Sequence, residues 1–388
     1  MAKRAPPMRD VALHGIEIAP SQVRGAIRLV PLLRRSVKED LRFLKRSYQE
    51  AATVVSLDGE LLAPGVKYIS YVPHGLVVSW SDDGTPVAAF GAQMSRPDGK
   101  RIGRGPCAVR IAHRMVKREE GNRLRMLPLH VAMEGFLALC FDGPDVAWSE
   151  YSKQAISTGL SPRWERVAPG YLVPGLADAL RVFEIHDRQV GVLVFVADAL
   201  ASAFVVSHPE DYRALHRSIL EDFFGELMIH YGLLPPTGHL STLGMDAARV
   251  RDASDLIAEV ERMRAEWASF HGFMAEGLLG RPLSSKQVYQ AGPFALQRFM
   301  TDLRPSEENH VGEAIVRDDG ELEYLKTYRL SAAQTRRAFL LLQLAKHHWN
   351  LDATAAGMAT TRDDLVKRLS AAGFGYLLKE HVLKAARA

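Results

Sequence analysis

Between Arg96 and Arg125 stand ten Lys and Arg residues, against only Asp98, Glu119 and Glu120. The stretch therefore carries +7 in a chain whose formal total is +4. Guanidinium forks match phosphate oxygens in planar, bidentate geometry. This makes the stretch a candidate groove for an anion such as a nucleotide, an ADP-ribose or a nucleic-acid backbone. Arg101, Arg104, Arg110 and Arg114 are its candidate lining. The competing reading is a solvated basic face, the usual meaning of a charge run. Gly103-Arg104-Gly105 lacks the third glycine and the helix-opening context of a phosphate loop and reads as a tight turn. His113, lying alone, reads as a hydrogen-bonded structural residue.

Other reactive side chains are placed less productively. His347 and His348 are adjacent, and on a helix neighbours diverge by about 100°, so the pair cannot grip one ion unaided. They read as surface and capping residues. The five tryptophans are scattered and read as packing. There is no G-x-x-x-x-G-K-[ST], H-E-x-x-H or G-x-S-x-G, so P-loop, zincin and hydrolase-elbow chemistry lose support. No catalytic residue, cofactor or metal ligand is assigned.

The clearest local pattern is at the C-terminus. Ser331 to about His348 reads as a helix with Phe339, Leu342 and Ala345 on one side. Asp352 to Gly357 reads as a short second helix, with Ala355 and Ala356 permitting close approach. Met358-Ala359-Thr360 is a tight connection, and Thr361 caps a third helix over Arg362 to Leu369, with Leu365 and Leu369 four apart. Such a unit is of helix-turn-helix type. The spacing of Asn350, Ala355-Ala356, Arg362, Leu365 and Lys367-Arg368-Leu369 resembles the C-terminal DNA-binding unit of the Fis family over about forty residues. The resemblance implies that the third helix reads the major groove, with Thr361, Arg362, Lys367 and Arg368 near DNA. Ala359 stands where that family usually has glycine, and Asp363 and Asp364 would repel phosphates while favouring the helix N-terminus.

These residues need a frame. A chain of 388 residues exceeds one ordinary core, so two or three domains are expected. Its 47% apolar and 24% charged residues are globular composition. Two cysteines, Cys107 and Cys140, form no C-x-x-C pair and suit a reducing cytoplasm. No export signal or membrane-spanning run is read.

From Val11 to Ala92, short apolar runs alternate with Asp-Gly, Pro-Gly and Asp-Asp-Gly turns, a β-rich meander. Leu127 to Phe141 resolves neither as helix nor as strand. Val190 to Phe195 and Ala199 to Val206 read as paired strands. Ser207-His208-Pro209-Glu210 then opens a helix carrying Tyr212, Leu215, Ile219, Phe223 and Leu227. Leu234 to Gly238 breaks the pattern. Ala253 to Phe273 is an amphipathic helix with Ser254 as its cap. Gly280 to Ser285 and Arg304 to His310 read as loops, and Arg317 to Glu323 holds an Asp-Asp-Gly turn.

A second resemblance rests on Gly15-Ile-Glu-Ile, on Gly25 to Leu33 and on Gln189 to Leu215. Together these resemble the ARPP domain, associated with ADP-ribosylglycohydrolases and with rhodanese and phosphatase superfamily proteins. The resemblance implies a prokaryotic protein from a conflict or nucleotide-linked signalling system.

The expected fold is α+β, with a mainly antiparallel, β-rich N-terminal domain with packed helices. Residues 11–232 form the ARPP-like domain and 239–330 a mostly helical connecting region. Residues 331–374 form the Fis-like helix-turn-helix and 375–388 a helical tail. The expected function is that of a DNA-associated regulator or sensor with a domain for a phosphate-containing ligand or a protein partner. The alternatives are an enzyme acting on a nucleotide or ADP-ribose compound, and a self-assembling scaffold with a degenerate helix-turn-helix. A homodimer is expected through helices between Ala253 and Leu344, because such units read paired half-sites.

Overall fold

A computed structural model describes residues 7–38, 41–45, 176–196, 199–217, 219–220, 245–291, 293–304, 306–330 and 332–387, with six further short strands between 67 and 169. The fold is α+β, and every strand pairing within its sheets is antiparallel.

The main sheet has nine strands. They are β1 (Ile16–Ile18), β2 (Gln22–Arg24), β3 (Ile27–Arg34), β11 (Gln189–Val196), β12 (Ala199–Val205), β13 (Leu283–Ala291), β14 (Phe294–Thr301), β15 (Asn309–Arg317) and β16 (Leu322–Leu330). Their order is β1-β3-β11-β12-β16-β15-β14-β13, with β2 also on β3. Two smaller sheets use β4 (Arg42–Lys45), β6 (Leu76–Ser79) and β7 (Pro86–Ala88), and β5 (Lys67–Ile69), β8 (Val116–Glu119), β9 (Arg123–Met126) and β10 (Arg166–Pro169).

Strand alternation divides the sheet's apolar residues between two cores. Val192, Val194 and Val196 of β11 join Phe204, Ile315 and Tyr324 in one cluster. Leu193 and Phe195 join Leu200, Ala314 and Leu325 in the other. With both faces covered, β11 reads as an unbroken apolar run rather than a half-polar alternation. Val190 lies where the register against β3 shifts, and it falls in the second cluster although Val192 is in the first. That change of face is what a bulge produces. Gly312 has no room for a side chain: a Cβ there would lie 2.6 Å from the Lys326 carbonyl oxygen and 2.7 Å from the Phe299 ring.

Helices cover both faces. On the first lie α1 (Leu176–Val182) and α2 (209–217), the latter contributing Tyr212 and Leu215. On that face too are α4 (Ala332–Lys346), α5 (Leu351–Gly357), α6 (Arg362–Ala371) and α7 (Glu380–Arg387). On the second lie the N-terminal segment and the turn after α3 (Ala253–Met274), through Val11, Ala275 and Leu278.

Several expectations are met and others corrected. The β11–β12 pair, the start of the following helix and the hairpin turn before β16 lie as read, the last with Gly320 at φ +90°. The region 239–330 is not mostly helical. After α3 it is a four-stranded meander continuing the main sheet through β16 onto β12, so no boundary between separate sheets falls near residue 238. Its strands carry many polar residues, which the apolar-run criterion reads as loop or helix. Leu283–Ser285 are strand rather than loop, and His310 belongs to β15. Asp252, not Ser254, caps α3, accepting from the amides of Ser254 and Asp255. The residues 49–57, 127–141 and 221–230 lie outside the described residues.

Candidate nucleic-acid interface

Helices α4, α5 and α6 end in the same way. In a Schellman motif the residue after the cap is left-handed, and two reverse bonds close the last turn. At the end of α4, Trp349 N–H donates to Leu344 O at 2.7 Å and His348 N–H to Ala345 O at 3.0 Å. For α5 the bonds run from Thr360 to Ala355 and from Ala359 to Ala356, and for α6 from Phe374 to Leu369 and from Gly373 to Ser370. The left-handed residue is Gly373 at φ +87° only in the last case. His348 at +51° and Ala359 at +50° occupy the other two, and Trp349 follows at +58°. Glycine has no penalty there, whereas an L side chain crowds its own carbonyl.

The motif fixes what each helix buries. Trp349 folds back under α4 and is buried, as is Phe374 at the end of α6. Gln334, Thr335, Ala338, Leu341 and Leu344 form the buried side of α4. The expected stripe of Phe339, Leu342 and Ala345 is rotated from it: Phe339 is exposed, and the other two only pack at the margin. Gly357 meets the His347 ring, which would collide with any Cβ at 357. His348 is exposed. No cluster of potential metal ligands occurs among the described residues.

Asn350 caps α5, accepting from Asp352 and Ala353, and Thr361 caps α6, its hydroxyl accepting from the Asp364 amide at 3.2 Å. Leu365 and Leu369 are fully buried, so α6 turns its other side outward. That side carries Asp363, Asp364, Lys367, Arg368 and Ser370, and Arg362 sits at its first turn. Arg362 lies 3.3 Å from Asp352 of α5, and Lys367 lies 3.8 Å from Asp364. Thr361, Arg362, Lys367 and Arg368 are all exposed, though Arg362 projects about 140° around the helix from Lys367. Residues 331–388 hold nine Lys and Arg against four Asp and Glu, a net of +5.

Arg101, Arg104, Arg110 and Arg114 lie outside the described residues. Of the same basic stretch, Lys117 and Arg118 fall on β8 and Arg123 and Arg125 on β9, with Lys117 opposite Arg125 in the ladder.

Sequence reasoning missed the charges inside the main sheet. Arg34, 2% exposed, reaches Glu321 at 2.8 Å, Glu323 at 3.6 Å and the Leu322 carbonyl at 2.6 Å. Arg317 grips Glu323 from the other side at 2.5 Å and lies over the Phe294 ring. Burial pushes the Glu323 carboxyl up, against the pull of the two arginines. A second knot holds the start of β13: Arg281 donates to Asp302 at 2.6 Å and to the carbonyls of Glu308 and Asp302. On α3, His271 stacks on Trp267, and burial holds its pKa down to about 4. Arg34 reaches Glu321 and Glu323 from nearly three hundred residues away, Arg281 meets Asp302 from the neighbouring strand, and His271 and Trp267 are one helical turn apart; all are structural contacts.

The family model ARPP-2 matches residues 11–292. The chain belongs to the ARPP-2 family. The match runs well past residue 232 and ends just beyond β13, so α3 and the first strand of the C-terminal meander fall within the ARPP-2 region. Helix α6, which bears Arg362 and Lys367, lies outside it. No curated protein and no solved structure matches the chain. No helix among the described residues is long and apolar enough to cross a membrane.

Proposed function

We propose that this ARPP-2 protein is a DNA-associated regulator or sensor of a prokaryotic conflict or nucleotide-linked signalling system. In this reading α5 and α6 dock on DNA as a helix-turn-helix of the Fis type, and the ARPP-2 region receives a phosphate-containing ligand or a protein partner. One observation carries it. The tight turn at left-handed Ala359 seats α6 on Leu365 and Leu369, leaving Thr361, Arg362, Lys367 and Arg368 all exposed to solvent. The +5 charge of residues 331–388 supplies the long-range attraction that phosphate binding requires. Asp352 and Asp364 hold Arg362 and Lys367 in the free protein, and at these exposures such pairs exchange for phosphate at little cost.

The test is a fluorescence-anisotropy titration of the full chain with duplex DNA at several salt concentrations. Phosphate-driven affinity must fall as log salt rises, and Arg362→Ala with Lys367→Ala should weaken binding and flatten the slope by about one unit per lost contact. Asp363→Asn with Asp364→Asn should strengthen it. Absence of DNA affinity in every case sinks the reading. Stable self-assembly would then favour a scaffold, and turnover of NAD or ADP-ribose compounds an enzyme. Changing Arg101 and Arg104 to Glu separately tests the anion groove, where loss of polyphosphate binding is expected.

A further inference from the structure

Helix α6 buries Leu365 and Leu369 and leaves its opposite side in solvent. Successive residues of an α-helix stand about 100° apart around its axis. With Leu365 at zero, Ser370 projects at about 140°, Asp363 at about 160° and Lys367 at about 200°, an arc of about 60° facing away from the two leucines. All three are exposed, Lys367 to 79% against 55% for Arg362. Arg362 and Arg368 flank this stripe, at about 60° and about 300°. Asp363 and Ser370 are seven residues apart, a rise of about 10 Å, which matches about three base-pair steps of 3.4 Å.

The stripe mixes hydrogen-bonding types. Asp363 offers only carboxylate acceptors, Lys367 only ammonium donors, and the Ser370 hydroxyl serves as either. A face built only to hold phosphates would carry cations, yet a carboxylate stands at the centre of this one. Thr361 already caps α6, and Asp364 supplies acidic charge to the same first turn, so the helix does not need Asp363 to begin. Lys367 lies 3.8 Å from Asp364, whereas no ion pair joins Asp363 to any of the described residues.

We propose that Asp363, Lys367 and Ser370 read base edges in the major groove, Asp363 selecting cytosine and Lys367 guanine, while Arg362 and Arg368 hold phosphates on either side. The assignment rests on the docking of α6 on DNA. A helix about 10–12 Å across fills a groove about 12 Å wide, so its outermost stripe meets the floor and its flanks meet the walls. Guanine and thymine present acceptors there, and adenine sets N7 beside its amino group. Cytosine alone offers a carboxylate a donor without an adjacent acceptor. Lys367 finds both of its partners, O6 and N7, on guanine. Four residues separate the two side chains, a rise of about 6 Å, so the cytosine and the guanine stand within about two base-pair steps. Asp363 thereby weakens attachment to DNA at large and repels the wrong bases, which is how a charge supplies choice.

The test mixes the full chain with a pool of duplexes randomised at their centre and sequences those retained. The wild type should retain duplexes with a cytosine and a guanine at this spacing, cytosine being favoured over thymine at its position by about tenfold. Asp363→Asn should lose the cytosine preference and keep that for guanine, because an amide can donate to thymine O4. Lys367→Ala should do the reverse. Arg368→Ala should lower affinity for every duplex alike, since phosphate contacts carry no sequence. On a duplex of unrelated sequence Asp363→Asn should bind more tightly than the wild type, as removal of a repelling charge requires. Retention without a fixed cytosine, or a cytosine preference that survives in Asp363→Asn, overturns the proposal and leaves the docking of α6 standing. Failure of the wild type to retain any duplex overturns both. The wild-type pool decides alone where a variant fails to fold.

Discussion

The main sheet and the C-terminal helices both hold arginine–carboxylate pairs, in opposite settings. Arg34 and Glu323 have side chains 2% and 1% exposed, whereas Arg362 and Asp352 are 55% and 65% exposed. In the sheet the ions have surrendered water and must be held by each other, by the Leu322 carbonyl and by Arg317. In the helices the same chemistry remains hydrated, and either partner can leave. The first arrangement fixes where β3 meets the β15–β16 hairpin; the second keeps a cation available.

The largest expected effect tests the first setting. Glu323→Ala leaves Arg34 and Arg317 without their shared buried counter-ion, and removing one member of such a group costs about 3–5 kcal/mol. Asp352→Ala should change stability by less than about 0.5 kcal/mol. Urea midpoints at constant slope measure both, and comparable losses in the two variants would erase the contrast.

The next effect is the acid sensitivity of the sheet side. Burial lowers the His271 pKa to about 4, so the folded state holds it neutral while the unfolded chain protonates near its ordinary value. Below about pH 6.5 the unfolded state binds the extra proton. Stability present at pH 7 is therefore lost as pH falls toward 4, by about 3 kcal/mol at full effect. His271→Phe keeps an aromatic ring beside Trp267 and Phe195 and should flatten this part of the pH–stability curve. An unchanged difference between pH 7 and pH 4.5 would show that His271 does not carry it.

Much of the helical end was legible because its signals are local. Thr361 before Arg362, and Leu365 four before Leu369, gave the cap and buried edge of α6 from residues within one or two turns. The β11–β12 pair was legible for the same reason. The polar strands were not. Asn309, His310, Glu313 and Arg317 of β15 are all buried, and several acquire partners, such as Arg281 or Glu323, only when distant segments meet. The stripe of α4 was misplaced by one face because Gln334 and Thr335 turn inward while Phe339 turns out, an exchange that hydrophobicity alone does not foresee. The Schellman end of α4 was hidden because glycine is absent at His348, whereas the turn after α5 was read as a tight connection although Ala359 stands in place of glycine.

That absence gives a smaller effect confined to the helices. Ala359→Gly should stabilise by about 1 kcal/mol, since a left-handed L residue costs about 1–2 kcal/mol and the freer glycine chain returns part of it. Gly373→Ala should cost a similar amount. Nothing lies within 4 Å of a Cβ built at 373, so backbone conformation alone is tested there. Thermal melts of the two variants should shift in opposite directions; shifts of the same sign would refute the assignment.

The smallest effect bears most directly on function. In a double-mutant cycle with Asp352→Ala and Arg362→Ala, the coupling should be about 0.2–0.5 kcal/mol at low salt and should vanish near 1 M, where the screening length is about 3 Å. A pair that weak can surrender its guanidinium to a phosphate, and Asp352→Ala should then raise DNA affinity by removing a competitor for Arg362. A coupling above about 1.5 kcal/mol would instead mean that Arg362 is committed to α5 as Arg34 is to the β15–β16 hairpin. Arg362 would then belong to the holding of the fold, and Lys367 and Arg368 would be left to meet DNA without it.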